Sequence, residues 1–156
     1  MIGKFEDIRL WCEMERARRC RINMTNGCFD ILHVDHLKVL RAGSGRDEDF
    51  RRDDLIVAID SDERVRQSKG HSRPVMSAND RAELLLSTRF VSRVVVFDSV
   101  ADLRQLYSIV RPDMLVRGTN GGGPEEQPPV GAEFARRVLW VQTGNTHSSE
   151  LAKRLT

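Results

Sequence analysis

The chain has 156 residues, of which 25 are Lys or Arg and 23 are Asp or Glu, for a formal net charge of +2. That length holds one ordinary domain and leaves no room for a second full one. The 40% apolar and 31% charged content excludes general disorder, and the mixed order of the charges excludes the single-sign field of a nucleic-acid binder.

In chain order, Phe5, Ile8, Leu10, Trp11 and Met14 fall near helical spacing, which predicts an amphipathic helix over Phe5 to Cys20 with Met14 as a core filler. Residues 21–25 read as a short strand, Asn26-Gly27 as a turn, and 33–42 as a helix burying Leu32, Val39 and Leu40. A polar loop from Gly43 to Asp54 precedes Leu55-Ile56-Val57-Ala58-Ile59, a continuous apolar run of the kind found in buried parallel strands. Asp60-Ser61-Asp62 caps a short helix running toward Gln67, and Ser77 to Asp80 caps another through Leu86. Then come a strand at 94–97, a helix at 100–109 and a strand at 114–116 that ends on Arg117-Gly118. Residues 118–132, with Gly121-Gly122-Gly123, Pro124, Pro128 and Pro129, predict a long mobile loop. A strand at 138–141, with Trp140 as a core filler, and a helix near 148–155 end the series. Strands separated by helices throughout imply a parallel sheet covered on both faces. The single domain is expected to span 1–156, with residues 1–20 packed on it.

Cys12, Cys20 and Cys28 form no CxxC pair, so free thiols are expected. No apolar run approaches a membrane span, and the start MIGKFEDIRLW lacks a signal peptide's apolar core. The expected location is cytoplasmic, with neither membrane nor nucleic-acid partners.

Ligands of open parallel sheets lie outside the carboxyl ends of the strands, where strand order reverses. Three polar loops leave such ends: Thr25 to His36, Arg117 to Asn120 and Thr143 to Ser149. The first places His33 and His36 three residues apart at a helix start, where free backbone N–H groups and two imidazoles can face one phosphate chain. Those donors would stabilise charge that develops as a phosphorus centre is attacked. Cys28 reads as a small packed residue, and zinc held by the histidines and a cysteine lacks a familiar ligand spacing, so no metal-ligating residue is assigned.

The run Thr25-Asn26-Gly27-Cys28-Phe29-Asp30-Ile31-Leu32-His33-Val34-Asp35-His36 resembles the TNGCFDxLHxGH signature of cytidylyltransferase-like nucleotidyltransferases. Within that superfamily the chain is most similar to bacterial heptose-1-phosphate adenylyltransferases, which make nucleotide-activated heptose for lipopolysaccharide. Further landmarks agree in order: Lys69-Gly70, Arg73-Pro74-Val75, Asp80-Arg81, Pro112 to Gly118, Pro124-Glu125-Glu126, Gly131-Ala132-Glu133 and Ser148-Ser149.

The resemblance implies a Rossmann-like (HUP-type) three-layer α/β/α fold with a five-stranded parallel sheet. It also implies transfer of a nucleoside monophosphate, from ATP or CTP with Mg²⁺, to a sugar or polyol phosphate, releasing pyrophosphate, in a homodimer. By position, His33, His36, Arg81 and Lys38 would be catalytic. Asn26, Gly27, Cys28, Phe29, Asp30, Arg117, Gly118, Asn120, Thr146, Ser148 and Ser149 would bind nucleotide, and Asp30 would hold the loop or assist metal placement. Lys69 and Arg73 are further phosphate candidates.

Asp35 stands where the signature has glycine, Asn120 where relatives carry aspartate, and His147 where they carry a small hydroxyl residue. Asp35 could point away from phosphate, bind a bridging cation or select a different ligand. Two further readings therefore stand beside heptose-phosphate adenylyl transfer. One is cytidylyl transfer to glycerol or another polyol phosphate, and the other is a nucleotide-binding relative that has lost catalysis.

Overall fold

A computed structural model describes residues 5–45, 53–119, 127–144 and 151. Its helices are α1 (Phe5–Ala17), α2 (Val34–Gly43), α3 (Asp62–Lys69), α4 (Ala78–Ser87) and α5 (Val100–Val110). Its strands are β1 (Ile22–Gly27), β2 (Asp54–Asp60), β3 (Arg93–Phe97), β4 (Met114–Gly118) and β5 (Val138–Val141). The five strands form one sheet in the order β3-β2-β1-β4-β5, and every pairing is parallel. The fold is a Rossmann-like α/β arrangement, as the resemblance implied, with the parallel sheet that the alternation of elements predicted.

Side chains alternate across a strand, so a strand covered on both faces must be apolar at every position. Residues 55–59 of β2 meet that condition. Leu55, Val57 and Ile59 join Leu40, Ala82 and Leu85 in the core under α2 and α4, whereas Ile56 and Ala58 join Ile8, Cys12, Leu103, Leu106 and Tyr107 under α1 and α5. The polar residues buried in central β1 are compensated by hydrogen bonds to neighbouring elements. Asn23 Nδ2 donates to the Gly43 carbonyl at 2.8 Å and to Asp53 at 3.0 Å, and Thr25 Oγ1 donates to the Val116 carbonyl at 2.8 Å.

The helix caps fall where the sequence places them. Ser61 accepts from the Arg64 N–H and Ser77 from the Asp80 N–H.

Three differences from the sequence reading have local causes. α1 stops at Ala17 instead of Cys20, and Arg19 turns left-handed at φ 62°. Met14 is 54% exposed and Leu10 49% exposed, so neither fills the core. At about 100° per residue they lie across the helix from Ile8 and Cys12, which are buried. Trp140 is only partly buried at the β5 end of the sheet.

Within the segment expected to be an irregular loop, Gly131 adopts φ 89° and opens a single 3₁₀ turn, Ala132–Phe134. Residues 46–52 of the expected polar loop, residues 120–126 and the expected closing helix, apart from helical Leu151, lie outside the described residues.

Gly131 lies against the buried Tyr107 ring: a Cβ there would fall 2.2 Å from ring carbons. A side chain would meet both an unfavourable backbone angle and a filled space. Gly131→Ala is expected to cost about 2 kcal/mol or more, read as a lower urea midpoint at unchanged slope. An unchanged midpoint would contradict this packing.

Candidate functional site

The chain leaves β1 for β2 and β3 on one side, then returns to place β4 and β5 on the other. The reversal lies between β1 and β4, and in open sheets of this kind the ligand crevice lies outside the carboxyl ends of such a pair. Asn26 and Gly27 end β1 there, and Arg117 and Gly118 end β4.

Between β1 and α2 the chain has only six residues in which to reverse, and two features hold that turn. Phe29 is left-handed at φ 49°, a conformation costly for a bulky residue, and its ring is buried beside Gly27 and packs on His36 with centroids 4.8 Å apart. Asp30 is fully buried. Its carboxylate accepts from the Val75 N–H at 2.8 and 3.0 Å and the Met76 N–H at 3.0 Å, and pairs with Arg73 at 2.7 Å. Asp30 thus holds the loop, the first of its two expected roles. With both oxygens engaged, it does not fit as a metal ligand.

Arg81 completes the support. Its side chain has 0% exposure, and its guanidinium donates to the Met76 carbonyl at 3.1 Å, the Cys28 carbonyl at 2.7 Å and Asp62 at 2.7 Å. A guanidinium so committed acts on the loop that it ties to α3 and α4. Asp62, read from the sequence only as part of a helix cap, is its charge partner. Burial raises the Cys28 thiol above its ordinary value, which fits a packed residue better than a nucleophile.

His33 forms the N-cap of α2, and its ring stacks on that of His36 at 3.7 Å between centroids. The two imidazoles thus stand together at the helix end whose first N–H groups have no intrahelical partner. Burial first, then the nearby positive charge of His33 and Lys69, pushes His36 down to about 4, while Asp35 and the Ile31 carbonyl oppose the shift. At neutral pH His36 is uncharged and carries one N–H, for which the Ile31 carbonyl is an acceptor.

Asp35 does not extend into solvent. It is buried in the first turn of α2, takes the Lys38 ammonium at 2.8 Å, and lies so close to Gly144 that a Cβ there would sit 3.3 Å from its Oδ2. It therefore lies between the signature loop and the loop that follows β5. Gly118 permits the same approach, since a Cβ on it would meet Thr143 at 3.0 Å and Val39 at 3.3 Å. Arg117 Nη1 donates to the Asn26 carbonyl at 3.2 Å.

The structure thus brings together Asn26, Gly27, Phe29, His33, His36, Lys38, Arg117 and Gly118 around one end of the sheet. It places Asp30, Arg73 and Arg81 as buried supports. Lys69, at the end of α3, is exposed. Asn120, Thr146, His147, Ser148 and Ser149 lie outside the described residues. Among the described residues, the only cluster with metal-ligand geometry is Glu15, Cys20 and Asp54, near the opposite end of β1 and β2. No described helix is long and apolar enough to cross a membrane.

The family model described as cytidylyltransferase-like matches residues 24–121, a span that includes β1, the histidine pair and β4. A protein named bifunctional protein HldE from a Nitratiruptor species is 40% identical over 140 residues, covering 90% of this chain and 28% of its own length. Its namesake from Koribacter versatilis is 45% identical over 98 residues, covering 63% of this chain and 19% of its own length. The chain therefore spans under a third of these curated relatives. The crystal structure of the lipopolysaccharide core biosynthesis protein from Thermoplasma volcanium superposes with a TM-score of 0.57 at 23% identity, covering 81% of this chain and 98% of that one. That likeness supports the fold alone.

The low proton affinity of His36 predicts a pH dependence. Between its ordinary value of 6.5 and about 4, the unfolded chain takes up a proton that the folded chain does not. Its contribution to stability is complete above pH 6.5 and is lost as the pH falls toward 4, to a limit of about 3 kcal/mol. Thermal midpoints of the wild type and His36→Gln should therefore converge, or cross in favour of the variant, as the pH falls through that window. Parallel curves would contradict a buried neutral imidazole.

Proposed function

Because the chain belongs to the cytidylyltransferase-like family, we propose that it is a nucleotidyltransferase that moves AMP from ATP to a sugar phosphate such as heptose 1-phosphate. An acceptor phosphate oxygen attacks the α-phosphorus. The new P–O bond forms as the α–β bridging P–O bond breaks, and pyrophosphate leaves. The observation that carries this reading is the stacked His33–His36 pair at the amide-rich start of α2, set at the strand-order reversal.

His36, neutral in the free protein with its N–H shared with the Ile31 carbonyl, donates a second N–H to a phosphate oxygen once phosphate charge brings it a proton, and the first amides of α2 add fixed donors. As negative charge arrives, the proton affinity of His36 rises, which strengthens the bond when charge shifts onto the leaving pyrophosphate. Lys38, held by Asp35, presents a cation to the same chain of phosphates. Asp30, Arg73 and Arg81 act by fixing the loop that carries the rings. Mg²⁺, which the family uses with the triphosphate, neutralises phosphate charge when bound, and the roles of His36 and the helix amides do not pass through it.

Asp35 bears on the choice between an active enzyme and a silent relative. An isolated carboxylate about 4 Å from a phosphate would oppose it by roughly 4 kcal/mol at an effective dielectric near 20. Its partner Lys38 supplies an attraction of similar size, so the pair brings little net repulsion. This supports a recruited Asp35 over a blocking one.

The test is pyrophosphate release with ATP or CTP and with heptose 1-phosphate or glycerol phosphate. The fastest release is expected with ATP and heptose 1-phosphate, and His33→Ala and His36→Ala should each lower kcat/KM by about 10²-fold or more. Preference for CTP and glycerol phosphate would establish the cytidylyl reading. Nucleotide binding without release from any pair would overturn transfer altogether. Asp35→Gly should lower kcat/KM by about tenfold by releasing Lys38, and a gain of activity would show that the carboxylate is a block.

A further inference from the structure

The amide of Asn26 is held by a residue that belongs to no motif. Tyr107, fully buried on α5, has its hydroxyl 3.0 Å from Asn26 Oδ1, and Arg117 Nη1 lies 3.5 Å from the same oxygen. A guanidinium only donates, so the oxygen end of the amide faces these two groups. The Nδ2 end is turned the other way and has no acceptor among the described residues. Burial raises the Tyr107 phenol above its ordinary value, so it stays protonated and able to donate. The Tyr107 ring carries Gly131 in van der Waals contact, with no room for a side chain between them. The turn at 131–134 and the amide that ends β1 therefore rest on one phenol.

We propose that Tyr107 is a positioning residue for nucleotide binding: its O–H locks the Asn26 amide so that the N–H₂ end donates into the crevice between β1 and β4. This inference rests on the nucleotidyl-transfer reading. A tyrosine serving only to fill the core would be replaced by phenylalanine without effect on substrate, because the ring and its contact with Gly131 would remain. A tyrosine that orients Asn26 would lose that orientation along with its oxygen.

The experiment measures ATP KM and kcat in pyrophosphate release for the wild type, Tyr107→Phe, Asn26→Ala and the double variant. Tyr107→Phe is expected to raise the ATP KM about fivefold, with kcat changed by less than about twofold. In the Asn26→Ala background it should add nothing, because the group it positions is gone. Asn26→Asp, which keeps the acceptor oxygen and removes the N–H₂ donor, should raise the ATP KM at least as much, and this holds even if Tyr107→Phe folds poorly. An unchanged ATP KM in Tyr107→Phe or Asn26→Asp would overturn the role, as would an equal rise from Tyr107→Phe with and without Asn26. A wild type that neither binds nor turns over ATP overturns the transferase reading itself. An active wild type with indifferent variants overturns only the assignment to Tyr107.

Discussion

A carboxylate with no exposed surface must find its compensation within the protein, because burying an uncompensated charge costs several kcal/mol even after relaxation, on the order of the net stability of a small domain. Asp30 finds it in the N–H groups of Val75 and Met76 and in the guanidinium of Arg73. Those partners come from the segment between α3 and α4, so the turn after β1 is tied to a distant stretch of chain. Arg81 ties the same turn at Cys28, one step nearer the strand. With both anchors in place, the left-handed backbone at Phe29 is held, and the two histidine rings are delivered to the start of α2. The energetic weight of the site thus lies in groups that need not touch the substrate.

This division between support and chemistry explains the character of the crevice. The supports are charged, buried and paired. In the proposed reaction the groups left to meet phosphate are the two stacked imidazoles, the helix amides and Lys38, and His36 among them is uncharged in the free protein. Asp35, a departure from the glycine of the family signature, belongs partly to each set. Its position in the first turn of α2 suits the positive end of the helix dipole, and its bond to Lys38 neutralises the charge it brings.

Much of the fold was legible in the residues because a parallel strand buried on both faces favours an uninterrupted apolar run, which residues 55–59 of β2 supply. Ser61 and Ser77 marked helix starts through a local bond, which needs no knowledge of tertiary structure. The boundary and burial of α1 were less legible, because apolar residues lie on more than one side of that helix and only packing selects Ile8 and Cys12 over Leu10 and Met14. At the site, the histidine spacing and the signature singled out the loop between β1 and α2, where the two rings stack. They could not reveal that Arg81 turns its guanidinium onto backbone carbonyls, or that Asp35 turns back onto Lys38. Tyr107 was silent for a plainer reason. Its meaning depends on Asn26, 81 positions away in the chain, and a tyrosine within an apolar helix face reads as core.

The central claim is that both imidazoles and the opening amides of α2 form one anion site at the end of β1. Side-chain and backbone ¹⁵N spectra recorded while a non-hydrolysable ATP analogue is added test it most directly. The ring nitrogens of His33 and His36 and the amides of Val34, Asp35 and His36 should shift together along one saturation curve. Saturation by the analogue with those rings and amides unmoved would contradict the account.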